Sequence, residues 1–330
     1  MILYNQHMTT VRAHSNIALI KYWGKRSGKL KTPQNDSISL TLDQLYTDTT
    51  VSYEPHLKQD TLKLNGEVAP EPMRQRIQGF MDFLRRELHI AHHAAIDSVN
   101  HFPTGAGLAS SASAFAALTL AATLAADQSL PTEHLSRLAR QGSGSASRSL
   151  YGGFARWHAG RETDGSDSLA RPIVSSWKPI MVVLVLTAAH KKIGSGDGMQ
   201  RTVDTSPLYG GWLDSIGQNL AEMEQGIAAQ DFEKVGTLME HNALKMHATA
   251  LAAQPAVLYW EPATVALIHH VWALRQEGLP CYLTMDAGPN VKVLLPPDTP
   301  DAVIQRVVNH PEVLDSFVCR PGPAAHRIDL

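Results

Sequence analysis

Apolar and polar residues alternate over 37–45, where Ile38, Leu40 and Leu42 are spaced by serine and threonine. That period of two predicts a strand with one buried face. Residues 11–22 are β-leaning, and 47–53 continue as a further β-branched stretch. Thr61-Leu62-Lys63-Leu64 runs into Asn65-Gly66, a two-residue hairpin signal. The spacing then changes. Met73, Ile77, Phe80, Phe83, Leu84 and Leu88 follow a helical period. A helix predicted over 110–126 is alanine-rich and apolar almost all round, so it belongs inside a core. A shorter helix over 132–141 meets a stop at Gly142.

The second half opens with a continuous apolar, β-branched run over 180–187, of strand length. Helices are predicted over 208–229 and 232–251, the second with Asp231 at its N-cap. Glu261-Pro262 begins another helix that Gly278 ends, and Thr299-Pro300-Asp301 caps a last one. Between them, 281–285 and 291–295 read as paired strands joined by Asp286-Ala287-Gly288-Pro289-Asn290. Strands and helices mix without strict alternation, so the fold class is α+β. The glycine-rich stretch 193–198 reads as flexible, and the chain is expected to divide there into 1–187 and 188–330.

Composition sharpens this picture. A length of 330 residues suits two domains at about 150 each. With 44% hydrophobic and 18% charged residues the chain has material for sizeable cores. Lysine and arginine number 29 against 31 acidic residues, which leaves no basic excess to coat nucleic acid. Two cysteines, Cys281 and Cys319, form neither a disulfide framework nor a zinc pair. The first residues lack a secretory pattern, and the longest apolar run, 114–126, is too short for a membrane span. The expectation is a soluble, cytoplasmic protein that engages neither nucleic acid nor membrane.

Two small-residue segments carry candidate chemistry. Residues 103–113, rich in glycine and serine, lead straight into the alanine-rich helix, where free N–H groups and the dipole favour an anion. The segment is neither a Walker A loop nor a dinucleotide fingerprint, and an ordinary glycine-rich N-cap reads the same way. Residues 141–149 gather four serines around Arg148. Hydroxyls and a guanidinium in a tight turn suit a carboxylate or phosphate, with a flexible linker as the plainer alternative. Asp286 alone is ambiguous between a turn residue and a functional carboxylate. Lys21, Lys25 and Arg26, like Lys191 and Lys192, read more simply as a solvated face than as a phosphate clamp. Sixteen histidines show no metal-ligand spacing.

Together these segments resemble one family, the diphosphomevalonate decarboxylases of the GHMP kinase superfamily. The likeness rests on 16–25, including Lys21-Tyr22-Trp23-Gly24-Lys25, on 103–114 and 142–153, and on Lys245-Met246-His247-Ala248-Thr249 and 282–290. It implies a GHMP kinase-type α+β domain followed by a ferredoxin-like domain, with the active site in the cleft between them. It also implies ATP-dependent phosphorylation of the 3-hydroxyl of mevalonate 5-diphosphate, then loss of phosphate and CO2 to give isopentenyl diphosphate. Carried over residue by residue, Pro103, Gly105, Gly107, Leu108, Ala109, Ser110 and Ser111 would cradle ATP, with Ser111 or Ser110 meeting Mg2+. Asp286 would face the 3-hydroxyl, Arg148 the carboxylate, and Lys191 the transferring phosphate. Ser143, Gly144, Ser145, Ser195 and Met199 would contact the substrate, and Tyr22, Lys25 and Arg76 would hold its diphosphate. The resemblance also implies a homodimer.

One departure stands out. Gly196 occupies the place of an arginine that the family aims at the substrate diphosphate, with Asp197 beside it. Either Arg201 or Lys192 compensates, or the substrate is the 5-monophosphate. A plain GHMP kinase and a non-catalytic relative are the remaining alternatives.

Overall fold

The strand periodicity of the N-terminal third produces a single large sheet in the computed structural model, which describes residues 8–102, 110–187 and 192–329. Strand Thr9–Ile20 pairs antiparallel with Ser37–Glu54, which is one continuous 18-residue strand and not two. Its length lets it serve two partners along one edge: Phe154–Trp157 along residues 37–40 and His93–Asn100 along residues 47–54. Thr61–Leu64 joins parallel to His93–Asn100 and turns back at Asn65-Gly66 into Glu67–Val68, as expected. Both turn residues have positive φ, 52° and 84°, which the Asn-Gly pair tolerates.

The single buried face expected over 37–42 is instead buried on both sides. Ile38, Leu40 and Leu42 enter an apolar core, while Ser37, Ser39 and Thr41 are also fully enclosed. Their hydroxyls explain this. Ser37 and Ser39 accept bonds from Arg148, and Thr41 donates to the Tyr151 carbonyl. The helix Ser110–Ala125 lies across these strands, buried as its composition demands. Its two threonines do not disturb the core, because Thr119 and Thr123 donate to carbonyls one turn back. Thr132–Gly142 runs one residue past the expected bound, with Gly142 inside the helix and Ser143, not Gly142, at its C-cap. A Cβ at Gly142 would lie 2.0 Å from the Phe115 ring, so close helix packing requires glycine there.

A second sheet runs in the order Tyr282–Met285, Val291–Leu295, Ile180–Val185, Asp315–Cys319, antiparallel throughout. Numbered along the chain that order is 2-3-1-4, the ferredoxin-like arrangement. Ile180, Val182 and Leu184 face the helices Pro262–Gln276 and Asp301–Val308, and Met181, Val183 and Val185 face the core shared with the first sheet. A strand buried on both faces reads as an unbroken apolar run. Because Ile180–Val185 belongs to this sheet, a division at 187/188 cuts off its central strand. The sheets separate between Ile173 and Ile180, and His326–Ile328 returns to pair with Thr9–Ile20.

Two helical expectations change. The single helix over 208–229 is broken into Tyr209–Asp214 and Ile216–Ala229. Ser215 sits at the break, donating to the Trp212 carbonyl at 2.7 Å and accepting from Lys245 at 2.8 Å. The glycine-rich stretch expected to be flexible instead starts a helix, Ser195–Thr205. Asp231 caps Phe232–Leu251 as expected, accepting from the Lys234 N–H at 3.0 Å.

Candidate active site

The ends of Thr9–Ile20 and Tyr282–Met285 bring Lys21 and Asp286 together from opposite halves of the chain. Lys21 Nζ donates to Asp286 Oδ1 at 2.9 Å and to the Ala18 carbonyl at 2.9 Å. Its own N–H donates to Asn242 Oδ1, on Phe232–Leu251, at 2.8 Å. Lys292, within the apolar strand Val291–Leu295, lies 3.5 Å from Asp286 Oδ2. Both lysines are fully buried, whereas the Asp286 side chain keeps 24% of its surface open to the cleft. Burial pushes the Asp286 carboxyl up, but Lys21 and Lys292 outweigh it and hold the group well below the usual carboxylate range. Burial lowers both lysines, against the raising pull of Asp286. The simple reading of Lys21 as part of a solvated face is thus incorrect.

Arg148 is 2% exposed in the same cavity. Its Nε donates to Ser39 Oγ at 2.9 Å and to Asn16 Oδ1 at 3.2 Å, its Nη2 to Asn16 Oδ1 at 3.1 Å, and its Nη1 to Ser37 Oγ. Asn16 is itself fixed by Ser145 and Ser149. Burial pulls Arg148 down to about 10, opposed by Asp286 and Tyr22. Among the described residues no carboxylate lies within ion-pair distance of it, so this oriented cation is set to receive one. Arg148 also lies over the Trp157 ring, 5.9 Å from its centroid, and Tyr22 packs edge-on to that ring at 4.7 Å.

The surrounding cavity, about 550 Å3, is lined among the described residues by five cations and one carboxylate. Tyr22, Lys25, Arg76, Ser143, Gly144, Ser145, Ser195 and Met199 all reach it, as do Ser110 and Ser111. Ser111 Oγ lies 3.1 Å from Ser143 Oγ, which lies 3.3 Å from Ser145 Oγ, a row of hydroxyls along one wall. Pro103, Gly105, Gly107, Leu108, Ala109 and Lys191 lie outside the described residues. Arg201 and Lys192 do not line the cavity; Arg201 is directed to the Pro255 carbonyl at 3.5 Å.

Sequence reasoning passed over Lys292, Asn16, Lys31 and the hydroxyls of Ser37 and Ser39. A lysine flanked by valines in Val291-Lys292-Val293-Leu294-Leu295 is itself a signal, since such a strand interior admits a cation only beside a partner.

Fold and cavity define a GHMP kinase-type protein, with a ferredoxin-like second sheet closing the cleft. A model of the diphosphomevalonate decarboxylase-like N-terminal domain matches residues 13–170, and one of the mevalonate 5-diphosphate decarboxylase C-terminal domain matches 181–318. The diphosphomevalonate decarboxylase of Ganoderma lucidum is 38% identical over 94% of this chain and 84% of its own. The Homo sapiens enzyme is 38% identical over 88% and 77%. The crystal structure of mevalonate diphosphate decarboxylase from Staphylococcus aureus superposes with TM-score 0.93 at 40% identity, covering 100% of each chain. A structure of MDDEF in complex with MVAPP, AMPPCP and magnesium gives TM-score 0.91 at 39% identity, over 98% of this chain and 100% of that one. The chain belongs to the diphosphomevalonate decarboxylase family. Among the described residues no helix is long and apolar enough to cross a membrane.

Proposed function

We propose that this cleft converts mevalonate 5-diphosphate and ATP into isopentenyl diphosphate, ADP, phosphate and CO2, with the residues above in defined roles. The observation that carries the reading is the meeting of Asp286, held by the buried Lys21 and Lys292, with the buried Arg148, which among the described residues has no carboxylate within ion-pair distance. Arg148 binds the substrate carboxylate through two parallel N–H bonds and aligns the bond to be broken. Asp286 accepts the hydrogen bond of the 3-hydroxyl. Two neighbouring ammonium groups make it a weak base, so its larger contribution is negative charge beside C3. Once the 3-hydroxyl is phosphorylated, the C3–O bond breaks and its electrons leave with phosphate. The C1–C2 bond pair then forms the C2–C3 double bond as CO2 departs. Asp286 stabilises the positive charge that develops at C3 between these events.

ATP suits the wall formed by Ser110 and Ser111, where the start of Ser110–Ala125 opens on the cavity. Among the described residues no group of three or more histidines, cysteines or carboxylates gathers to hold a metal. The hydroxyl of Ser111 suits magnesium carried mainly by nucleotide phosphates. Magnesium bound there supplies neutralisation of phosphate charge. Tyr22, Ser143, Gly144, Ser145, Ser195 and Met199 shape the substrate's seat, and Lys25 and Arg76 neutralise its diphosphate. Lys191 meets the transferring phosphate. The residues before Ile173 carry the nucleotide and those after Ile180 deliver Asp286. The family resemblance supports a homodimer working in the cytoplasm; light scattering checks the first and cell fractionation the second.

The test is to incubate the protein with ATP and mevalonate 5-diphosphate and score ADP and CO2 together. Equal amounts are expected. ADP without CO2 would make it a kinase, and neither product would overturn the reading.

A further inference from the structure

We infer that Lys31 is a substrate-phosphate ligand of this cleft and supplies the cation that position 196 lacks. Lys31 lies at the turn between the short paired strands Lys25–Ser27 and Thr32–Pro33, and its side chain reaches the cavity wall. There it meets Lys25 and Arg76, whose charges, after burial, bring its ammonium down to about 8. Lys31 Nζ donates to the Gln141 carbonyl, and Arg76 Nη2 donates to the next carbonyl, Gly142, at 2.9 Å. Both cations therefore stand on the last carbonyls of Thr132–Gly142, the partially negative end of that helix.

A purely structural role as a helix-end cap would account for one donor of Lys31. An ammonium has three. Among the described residues no carboxylate stands within ion-pair distance of Lys25, Lys31 or Arg76, so three cations converge without a counter-charge. Such a group repels itself until an anion arrives, and two adjacent phosphates match it in charge and extent. Lys31 also holds φ of +50°, where glycine or asparagine is easier to place than lysine. A Cβ at Gly196 would lie 3.6 Å from Lys25 Nζ. Position 196 thus borders the same group of cations in the cavity. The inference deepens the diphosphate reading and rests on it.

Lys31→Met keeps the stem and the backbone demand and removes the ammonium, both its charge and its bond to the Gln141 carbonyl. KM for mevalonate 5-diphosphate is expected to rise about ten- to hundredfold, with kcat and the KM for ATP within about threefold of wild type. Adding Gly196→Arg to Lys31→Met should recover most of that loss. A rise below threefold, an equal rise for ATP, or no recovery would overturn the inference. If Lys31→Met does not fold, amine acylation of the wild type followed by mass spectrometry replaces it. Inorganic diphosphate should then slow labelling of Lys31 about tenfold, and unprotected labelling would overturn the assignment. A wild type that never turns over the diphosphate would instead remove the reading on which the inference is built, and protection of Lys31 by inorganic diphosphate, which needs no turnover, separates the two.

Discussion

The two ends of the cleft are built on opposite electrostatic plans. Around Asp286 every charge is answered or oriented. Lys21 and Lys292 hold the carboxylate, and Asn16, Ser37 and Ser39 hold Arg148. At the other end Lys25, Lys31 and Arg76 share a wall with no carboxylate among the described residues. The difference separates two jobs. Fixed, paired charges cost little reorganisation while bonds break, whereas unpaired charges favour whatever anion completes them. Chemistry should therefore fail when the first end is altered, and recognition when the second is.

The largest effect is expected from Asp286→Asn, which keeps the shape and removes the charge. Its kcat should drop roughly a thousandfold or more, about 4 kcal/mol of transition-state stabilisation, while ATP affinity stays within a few-fold. Retention of a tenth of wild-type kcat would take Asp286 out of its role. Lys21→Met comes next, because it strands a mostly enclosed carboxylate beside Lys292 alone. We expect kcat to fall about a hundredfold and unfolding free energy by about 3 kcal/mol, read by urea titration. An unchanged kcat would mean that the ion pair serves folding only.

Arg148→Ala should lower kcat and raise substrate KM together, each about tenfold or more, since the substrate carboxylate is left without its partner. Arg148→Lys should recover little of this, for an ammonium cannot make the planar two-point contact. Full recovery with lysine would contradict the bidentate geometry.

The smallest effect concerns pH at the recognition end. Lys31 loses its proton near pH 8, so the cation is present below that value and lost above it. The ratio kcat/KM for the diphosphate should fall about tenfold as pH rises from 7 to 9.5, and Lys31→Arg should flatten that limb because a guanidinium stays charged. A limb that persists unchanged in Lys31→Arg belongs to another group.

Legibility followed the same division of labour. The hairpin at Asn65-Gly66, the buried helix Ser110–Ala125 and the Asp231 cap were readable because each is set by neighbours in the chain. The fusion of 37–54 into one strand was not, since the partners that keep its middle extended lie 25 to 32 positions away, Asn16 opposite Thr41 and His14 opposite Tyr46. Asp286 and Arg148 were found through motifs, but their surroundings were not. Lys21 and Asp286 are 265 positions apart and Arg148 and Asn16 are 132 apart, separations that no local pattern spans. Lys31 was hidden for another reason: a lone lysine at a turn looks solvated until the fold sets it beside Lys25 and Arg76.

Calorimetric titration of mevalonate 5-diphosphate without ATP, into wild type, Asp286→Asn and Lys31→Met, tests the division between the two ends directly. The account predicts an Asp286→Asn affinity within about threefold of wild type and a Lys31→Met affinity at least tenfold weaker. The reverse order, binding lost at Asp286 and kept at Lys31, would contradict it.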